Sequence, residues 1–293
     1  MIVEGLQSKV SLGKWRAAAG DAMLTLRFGN NSGAAMAHAW DAEHYLRFAD
    51  ARTLPAIDLL SRIGLAVARR IVDLGCGPGN STAPLKARWP DAAVTGVDSS
   101  EELLAAGRRD HPGIDFVKGD IANWTATEPT DVVFANASLQ WVGDHERLMP
   151  RLFAQLAPGG VLAVQMPRNH DFATHRLMRQ VAAEGDWRER LMGARDPSPV
   201  KTPEFYYDLL VPRAAGFTIW ETNYIQIMEN VQAIIAWLHG TGLRPFLARL
   251  TETERPVFLD RYAALLAAEY PAQADGKILL PYPRLFFIAS KAG

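Results

Sequence analysis

The stretch "RIVDLGCGPGNST" at Arg70–Thr82 decides the fold, because a short apolar run ending in Asp73 is followed by three glycines within five positions. Three glycines so close together increase the conformational entropy that the chain loses on folding. We therefore infer that the fold or the function requires residues without side chains at these positions. A strand, then G-x-G-x-G, then a helix predicts a loop at the carboxyl edge of a parallel sheet, where doubly wound folds bind ligands. We expect Gly75 to make the tight turn. We expect Gly77 and Gly79 to let a ligand lie against the main chain.

The chain on both sides of this loop alternates between short apolar strands and helices, which indicates a parallel, doubly wound α/β sheet. The predicted strands are Arg70–Leu74, Ala93–Val97, Ile114–Val117, Asp131–Ala135 and Val161–Gln165. Helices are predicted over Ser81–Trp89, over Ser100–Asp110 and from about 145 to 156, with Pro158–Gly160 closing the last of them. Pro55 is predicted to separate two helices at the start of the pattern.

The regular alternation of short strands and helices ends after Pro167. The pattern predicts two more strands, Phe217–Met228 and Ile278–Ala289, with helical segments at Phe172–Met192 and Asn230–Tyr270. These helical segments lie in insertions around 170–210 and 230–275. Residues 1–35 lie outside the pattern, and we interpret them as an N-terminal extension, either native or an over-extended start. The domain itself is predicted to span 36–293.

Composition excludes several classes of function. The 293 residues carry a formal net charge of −1, whereas a nucleic-acid-binding face normally shows as a basic excess. Cys76 is the single cysteine, so no intrachain disulfide framework is possible and a reducing cytoplasm is the simplest location. We expect Cys76 to be a small apolar filler. No apolar run approaches the ~20 residues of a membrane span.

The glycine loop departs from the dinucleotide fingerprint G-x-G-x-x-G, because its third glycine comes one position early and Pro78 interrupts it. Asp73 adds a negative charge, which disfavours a pyrophosphate and favours a cation. Asp98 ends the second strand, where a carboxylate can accept hydrogen bonds from both hydroxyls of a ribose. Asp120 follows the third strand and is placed to accept from the exocyclic amine of adenine. Three acids at neighbouring strand ends suit a cationic nucleoside.

"VDLGCGPGNST" resembles motif I of the class I S-adenosylmethionine-dependent methyltransferases. "GVDSS" and "GDI" fall where that family makes its next two cofactor contacts. The resemblance implies a Rossmann-like sheet of seven strands with the last one antiparallel beside the fifth, helices on both faces and a helical cap. It also implies S-adenosylmethionine as cofactor, with S-adenosylhomocysteine as product. The implied binding residues here are Asp73, Gly75, Gly77, Gly79, Asn80, Asp98, Ser99, Asp120 and Ile121.

Later blocks resemble a narrower branch of this family, which esterifies a carboxylate of a small tricarboxylic acid. They are "FANASLQWVGDH" (Phe134–His145), "GGVLAVQMP" (Gly159–Pro167), "GTGLRPFL" (Gly240–Leu247) and "ILLPYPRLFFIA" (Ile278–Ala289). The resemblance covers the chain from about Ala39 to its end. It implies that Asn136, Ala137 and Leu139 lie beside the cofactor. Gln140 and Trp141 would line the acceptor side, although Trp141 could equally be a core or helix-lead residue. His145 is expected to be a helix-entry residue.

Such a reaction needs no general base, because an ionised carboxylate is already the nucleophile near pH 7. Catalysis then comes from positioning and desolvation, and we expect no catalytic residue in the strict sense. This agrees with the lack of a Ser–His–Asp or Cys–His arrangement in the sequence. Nor is there a Cys/His cluster with zinc spacing, so no metal is expected.

A tricarboxylate needs fixed cations. Arg244 and Arg284 each stand alone in an apolar stretch of the sequence. The guanidinium group can form two parallel hydrogen bonds to one carboxylate. The alternative for each is an internal ion pair with Glu221 or Asp208. Phenol hydrogen bonds could come from Tyr282 and Tyr45, for which a packing role is an equal alternative.

Three rival functions remain at this level. One is another small-molecule O- or N-methyltransferase of the same fold, favoured if Arg244 and Arg284 point away from the cleft. Another is a nicotinamide-dependent dehydrogenase, which the loop spacing disfavours. The third is a non-catalytic nucleoside-binding regulator. We expect no nucleic-acid or membrane partner, and the sequence indicates no oligomeric state.

Overall fold

Seven strands of the described chain form one mixed sheet in the order β3-β2-β1-β4-β5-β7-β6. The computed structural model describes residues 49–194 and 200–293. The strands are β1 (Arg70–Leu74), β2 (Ala93–Asp98), β3 (Asp115–Lys118), β4 (Thr130–Asn136), β5 (Leu156–Pro167), β6 (Gly216–Met228) and β7 (Ile278–Ser290). Residues Ile71–Leu74 of β1 are all buried, as expected of a central strand covered on both faces.

Strands β1 to β5 pair in parallel, whereas β7 runs antiparallel to both β5 and β6. The last strand is therefore inserted beside β5, and the predicted α/β fold with its seven-stranded Rossmann-like sheet is confirmed. Because the carboxyl ends of β1, β2, β3, β4 and β5 meet at one edge, the loops that follow them lie together.

Helices cover both faces of this sheet. The described helices are α1 (Ala49–Ser61), α2 (Thr82–Arg88), α3 (Glu101–Asp110), α4 (His145–Ala154), α5 (Ala173–Ala182), α6 (Arg188–Leu191), α7 (Pro203–Leu210), α8 (Val231–His239), α9 (Arg244–Leu247) and α10 (Glu254–Glu269). Leu59 of α1, Leu85 of α2 and Leu104 of α3 are buried in the cluster on one face. Leu152 of α4 and Tyr206 of α7 are buried in the cluster on the other.

A third hydrophobic cluster belongs to the helices that the sequence predicted as insertions. It unites α5, α6, α8, α9 and α10, with Trp237, Phe258 and Tyr262 among its buried residues. Helix α7 is the exception, because it packs with α4 on the sheet face although it lies inside the 170–210 insertion. We keep as a prediction that the third cluster caps the acceptor site.

Several predicted boundaries were wrong. Helix α1 runs through Pro55, because Ala56 and Leu59 beyond it are buried against the sheet and packing offsets the lost hydrogen bond. Pro158–Gly160 lie inside β5, where Gly159 N–H and Gly160 C=O pair with the backbone that follows β7. The helix predicted over Phe172–Met192 is interrupted around Gly185, which adopts a left-handed φ of +67°.

Two predictions fall outside the described residues, namely the extension at 1–35 and Tyr45. Within 49–194 and 200–293, no helix has the length and apolar character needed to cross a membrane. The same residues hold no group of His, Cys, Asp and Glu side chains arranged to bind a metal ion.

Candidate active site

Gly75 makes the predicted tight turn after β1. Its φ is +75°, and its N–H and that of Cys76 both donate to the carbonyl of Val97 in β2, at 2.7 and 3.1 Å. A Cβ placed on Gly75 would lie 2.2 Å from Ser138 Cβ. A side chain at this position would therefore collide with the loop after β4, in addition to requiring a backbone conformation that favours glycine.

The other two glycines of the loop differ from each other. A Cβ on Gly77, with φ +55°, would meet nothing nearer than Leu103 Cδ1 at 4.0 Å, so space for a ligand is left there. A Cβ on Gly79 would lie 2.7 Å from His111 Cδ2 and 2.9 Å from Phe116 Cζ. The lack of a side chain at Gly79 is thus required by its packing against His111 and Phe116, and a ligand contact with its main chain stays a prediction.

Cys76 is buried between these glycines. A Cβ on Gly96 of β2 would lie 2.8 Å from Cys76 Sγ, so the thiol fills the space over that glycine. Burial raises the pKa of the thiol, which keeps it protonated and apolar. The structure agrees with the role of small filler.

Asp73 is fully buried at the end of β1. Its Oδ2 accepts hydrogen bonds from the Ser81 and Thr82 hydroxyls at 2.6 and 2.7 Å, which ties the start of α2 to the strand. Oδ1 makes no hydrogen bond to a described residue. Burial raises the pKa of Asp73 to about 6, although both hydroxyl hydrogen bonds lower it. The acid therefore has one free oxygen at the carboxyl edge.

Asp98 is the predicted ribose ligand at the end of β2. Its Oδ2 accepts from the Gly77 N–H and its Oδ1 from the Ser100 N–H, both at 2.9 Å. Each carboxylate oxygen can accept a second hydrogen bond, so this half-buried group can still bind two hydroxyls. Ser99 beside it is exposed.

The loop after β3 holds the next predicted residues. The Gly119 N–H donates to the Asp98 carbonyl at 2.9 Å, which brings the ends of β2 and β3 together. Asp120 is exposed, and its Oδ1 accepts from the Ala122 N–H at 2.9 Å. Arg151 of α4 donates to the carbonyls of Ile121 and Ala122, at 2.8 and 2.9 Å, and so fastens this loop. Ile121 is half-buried beside Gly75.

The loop after β4 begins with Asn136, whose Oδ1 is buried and has no partner among the described residues. Ala137 adopts a left-handed φ of +53°, and its N–H donates to the Gln165 carbonyl at 3.0 Å. The Ser138 hydroxyl donates to the Leu74 carbonyl at 2.6 Å. The Leu139 side chain is fully buried in the cluster under α4, so only its main chain stays a predicted neighbour of the cofactor.

Gln140 and Trp141 complete this loop in a 3-10 turn at Leu139–Trp141. Gln140 Nε2 donates to the Ala137 carbonyl at 2.6 Å, while its buried Oε1 has no partner among the described residues. Trp141 is 54 % exposed, so the alternative of a core residue is wrong. An exposed indole next to the β4 loop is available to a ligand.

His145, the first residue of α4, is buried and contacts the 3-10 turn at Leu139–Trp141. Its Nε2 lies 3.0 Å from the Leu139 carbonyl and its Nδ1 lies 2.6 Å from the Tyr206 hydroxyl. Burial lowers the pKa of the imidazole, so the ring is neutral and donates from Nε2 while it accepts at Nδ1. These contacts define a helix-entry residue that positions the turn.

Arg284 of β7 is buried at the same edge of the sheet, opposite Pro167 in the β5–β7 register. Its guanidinium carbon lies 4.3 Å from the Tyr282 ring centroid, and its Nη1 lies 3.5 Å from Gln165 Oε1. Tyr282 in turn meets Trp237 of α8 edge-on, with ring centroids 5.8 Å apart. The structure thus brings together two of the residues predicted to bind the acceptor.

Arg244 starts α9 and is half-buried. Its neighbours Leu243 and Phe246 belong to the hydrophobic cluster against which Tyr282 packs. Glu221, one of the two alternative ion-pair partners, forms an ion pair with Arg168. Arg244 therefore lies on the helical side of the region that holds Tyr282.

Sequence reasoning missed Gln165, a fully buried side chain of β5. The strand register places it on the same face as Asn136 of β4, and Asp73 and Arg284 share that face through β1 and β7. The available signal was a lone polar residue in the apolar run "VLAVQMP". The run instead suggested a buried strand only.

The buried polar atoms that lack a described partner concentrate around this edge. They include Asp73 Oδ1, Asn80 Nδ2, Asn136 Oδ1, Gln140 Oε1 and Gln165 Nε2. Buried polar groups in native proteins are normally satisfied, so such a concentration indicates a polar ligand that supplies the missing partners. The donors and acceptors fit the ribose hydroxyls, amine and carboxylate of S-adenosylmethionine together with a polar acceptor.

Comparison with known proteins agrees with this fold. A family model described as a methyltransferase domain matches residues 71–160, which contain β1 to the start of β5. A Haemonchus contortus phosphoethanolamine N-methyltransferase 2 shares the fold with a TM-score of 0.50, at 17% identity over 82% of this chain and 53% of that one. A Bacillus halodurans protein gives 0.51 at 15% identity, over 81% and 99%. The chain therefore has the fold of the class I S-adenosylmethionine-dependent methyltransferases, with a methyltransferase domain matched over residues 71–160.

Closer relatives define the family. The trans-aconitate 2-methyltransferase of Azoarcus sp. (strain BH72) is 50% identical over 250 residues, which cover 85% of this chain and 98% of the relative. That of Rhodopseudomonas palustris (strain BisA53) is 52% identical over 255 residues, covering 86% and 99%. The chain belongs to the trans-aconitate 2-methyltransferase family, and the narrower resemblance of its late sequence blocks is confirmed.

Proposed function

We propose that this protein transfers the methyl group of S-adenosylmethionine to a carboxylate of trans-aconitate and so forms the monomethyl ester. The observation that carries the proposal is the polar row Asp73, Asn136, Gln165 and Arg284, which crosses the carboxyl edge and ends at a buried cation. A buried guanidinium beside an aromatic ring suits an anionic acceptor. The high identity to the family over most of the chain supports the same acceptor.

The nucleoside end of the site is assigned to β1, β2 and β3. Bound S-adenosylmethionine supplies a methyl group carried on a positively charged sulfur. Asp98 would accept from the ribose hydroxyls, and Gly77 leaves space for the ligand against the loop. Asp120 and Ile121 would face the adenine. Asp73, with one free oxygen, adds negative charge on the cofactor side.

Asn136 and Ala137 at the end of β4 would lie beside the cofactor, and the acceptor end is assigned to the rest of the β4 loop, to β5 and to β7. A carboxylate oxygen forms the new bond to the methyl carbon while the carbon–sulfur bond breaks, its electron pair stays on sulfur, and no proton moves. The residues need only hold that oxygen roughly 3 Å from the methyl carbon and exclude water. Arg284, Arg244 and Tyr282 would bind the carboxylates that do not react, and Gln140 and Trp141 would line the same space.

The test is an incubation of the protein with S-adenosylmethionine labelled in its methyl group and a panel of acids. We expect a labelled monomethyl ester with trans-aconitate, and weaker or no transfer with dicarboxylates and with amines. Mass spectrometry of the product identifies the ester, and a reaction without acceptor is the control. Transfer to an amine alone would point to another methyltransferase of this fold. Donor binding without transfer to any acceptor would point to a nucleoside-binding regulator.

A further inference from the structure

Gln165 is a primary amide in the interior of β5. The strand residues on either side of it, from Val161 to Met166, are apolar and buried, and Gln165 itself is fully buried. Its backbone carbonyl accepts from the Ala137 N–H at 3.0 Å, so strand pairing accounts for the main chain. Burying an amide side chain costs free energy unless its donors and acceptors form hydrogen bonds. We therefore expect the Gln165 amide to have hydrogen-bond partners in the working enzyme.

The contact with Arg284 fixes which way the amide points. A guanidinium can only donate, so the group that lies 3.5 Å from Arg284 Nη1 must be the amide oxygen Oε1. The amide nitrogen Nε2 therefore points away from Arg284. It is buried and makes no hydrogen bond to any residue in the described ranges.

The strand order places this free donor between the two ends of the site. Neighbouring strands lie about 4.8 Å apart, and β5 separates β4, which carries Asn136, from β7, which carries Arg284. The nucleoside is assigned to β1, β2 and β3, so Gln165 on β5 stands two strands beyond β1 and next to the cation on β7. This assignment rests on the proposed function.

We propose that Gln165 is an acceptor-binding residue, whose Nε2 donates a hydrogen bond to the reacting carboxylate while its Oε1 positions Arg284. The attacking oxygen loses its negative charge as the ester forms, so a cation bound to it would stabilise the ground state more than the transition state. A neutral amide orients the oxygen at a smaller cost in nucleophilicity. The guanidinium is thereby left to a carboxylate that does not react.

The variants Gln165→Met and Gln165→Glu test this assignment. Met removes the donor at similar volume. Glu keeps an oxygen for Arg284 but removes the donor and adds a charge that repels the acceptor. The matched controls are Gln226→Met and Gln226→Glu, at a half-buried position of the edge strand β6.

The measurements are kcat/KM for trans-aconitate and for a dicarboxylate, and calorimetric Kd values. Trans-aconitate is titrated into the complex with S-adenosylhomocysteine, and S-adenosylmethionine into the free enzyme. Gln165→Met should lower kcat/KM about 10- to 100-fold for both acceptors and weaken trans-aconitate binding, and Gln165→Glu should lose more. Donor Kd should stay within about threefold, and the Gln226 variants should match the wild type.

Two results would overturn the inference. One is a folded Gln165 variant with wild-type acceptor Kd and kcat/KM. The other is a donor affinity that falls as far as the acceptor affinity, since Gln165 would then face the cofactor. If Gln165→Glu does not fold, Gln165→Met decides. A wild-type protein that esterifies no carboxylate would overturn the proposed function itself, whereas active wild type with unaffected variants would overturn only the role of Gln165.

Discussion

Replacing Gly75 with alanine tests whether the close approach of Ser138 is what requires a glycine in the loop after β1. The new Cβ would lie 2.2 Å from Ser138 Cβ, whereas ordinary carbon contacts are about 3.5–4.0 Å. Ser138 cannot retreat freely, because its hydroxyl donates to the Leu74 carbonyl at 2.6 Å and the next residue, Leu139, is fully buried. Either the glycine loop or the β4 loop must therefore move.

The expected loss of stability has two parts. An L-residue at the φ of +75° that Gly75 adopts costs about 1–2 kcal/mol. Forcing an extra carbon into a packed site costs a further 1–3 kcal/mol or so. Gly75→Ala should therefore lower the free energy of unfolding by about 2–5 kcal/mol. It should also weaken donor binding, because the displaced loop carries Gly77 and its hydrogen bond to Asp98.

Urea denaturation followed by circular dichroism gives the stability, and calorimetry gives the donor Kd. Gly113→Ala is the matched control, since Gly113 has a φ of +103° but no atom within 4 Å of its added Cβ. That variant should lose only the backbone part. Gly77→Ala, with open space around its Cβ, should also keep most of its stability but lose donor affinity. Equal losses of stability in Gly75→Ala and Gly113→Ala would refute the collision with Ser138.

Three further perturbations test the site. Asp98→Ala should weaken donor binding by about 1.5–3 kcal/mol for each charge-assisted hydrogen bond lost, and unchanged calorimetry would contradict its assignment to the ribose. Arg244→Ala and Arg284→Ala should each lose about 2–5 kcal/mol of acceptor binding. Both variants should also lose the preference in kcat/KM for a tricarboxylate over a dicarboxylate, while the donor Kd stays constant. If folded variants keep this preference, the two arginines stabilise the fold and do not bind the acceptor. Because burial raises the pKa of Asp73 from 3.8 to about 6, the folded protein holds a proton that the unfolded chain releases between about pH 4 and 6. Stability should fall by about 3 kcal/mol as the pH rises through that window, and Asp73→Asn should flatten the slope in urea titrations at pH 4 and 7.

The sequence predicted the sheet well because parallel strands are short apolar runs bounded by loop residues. Strand β1 is predicted at its observed bounds, and the others agree within one residue at each end except β5, which begins five residues before its predicted start. The errors arose where tertiary contacts override local signals. Packing carries α1 through Pro55, and pairing with the backbone after β7 extends β5 across Pro158–Gly160. Local pattern also could not show that α7 packs on the sheet rather than with the helical cluster.

The site was predictable only where function leaves a local motif. Glycines after a strand and acids at strand ends are visible in the sequence itself, which explains why Gly75 and Asp98 could be predicted as site residues. The reason for Gly79 was not visible, because the side chains it touches belong to other segments, His111 and Phe116. Gln165 escaped for a similar reason. Its significance depends on Arg284, which is 119 residues away in sequence and is brought near by the antiparallel insertion of β7.

The order of charges along the carboxyl edge matches the two reactants. Acids lie at the end of β1 and β2, where a positively charged donor belongs, and a buried guanidinium lies on β7, where an anionic acceptor belongs. Between them stand two neutral amides, Asn136 and Gln165, in register on adjacent strands. Transfer from a sulfonium to a carboxylate converts both reacting groups into neutral ones, a thioether and an ester, so charge at the reacting atoms diminishes in the transition state. Water, which solvates the separated charges best, slows such a step, and a buried site with neutral groups at the point of transfer favours it. Placing neutral amides at the point of transfer therefore matters to the chemistry as much as placing the Arg284 guanidinium one strand further on.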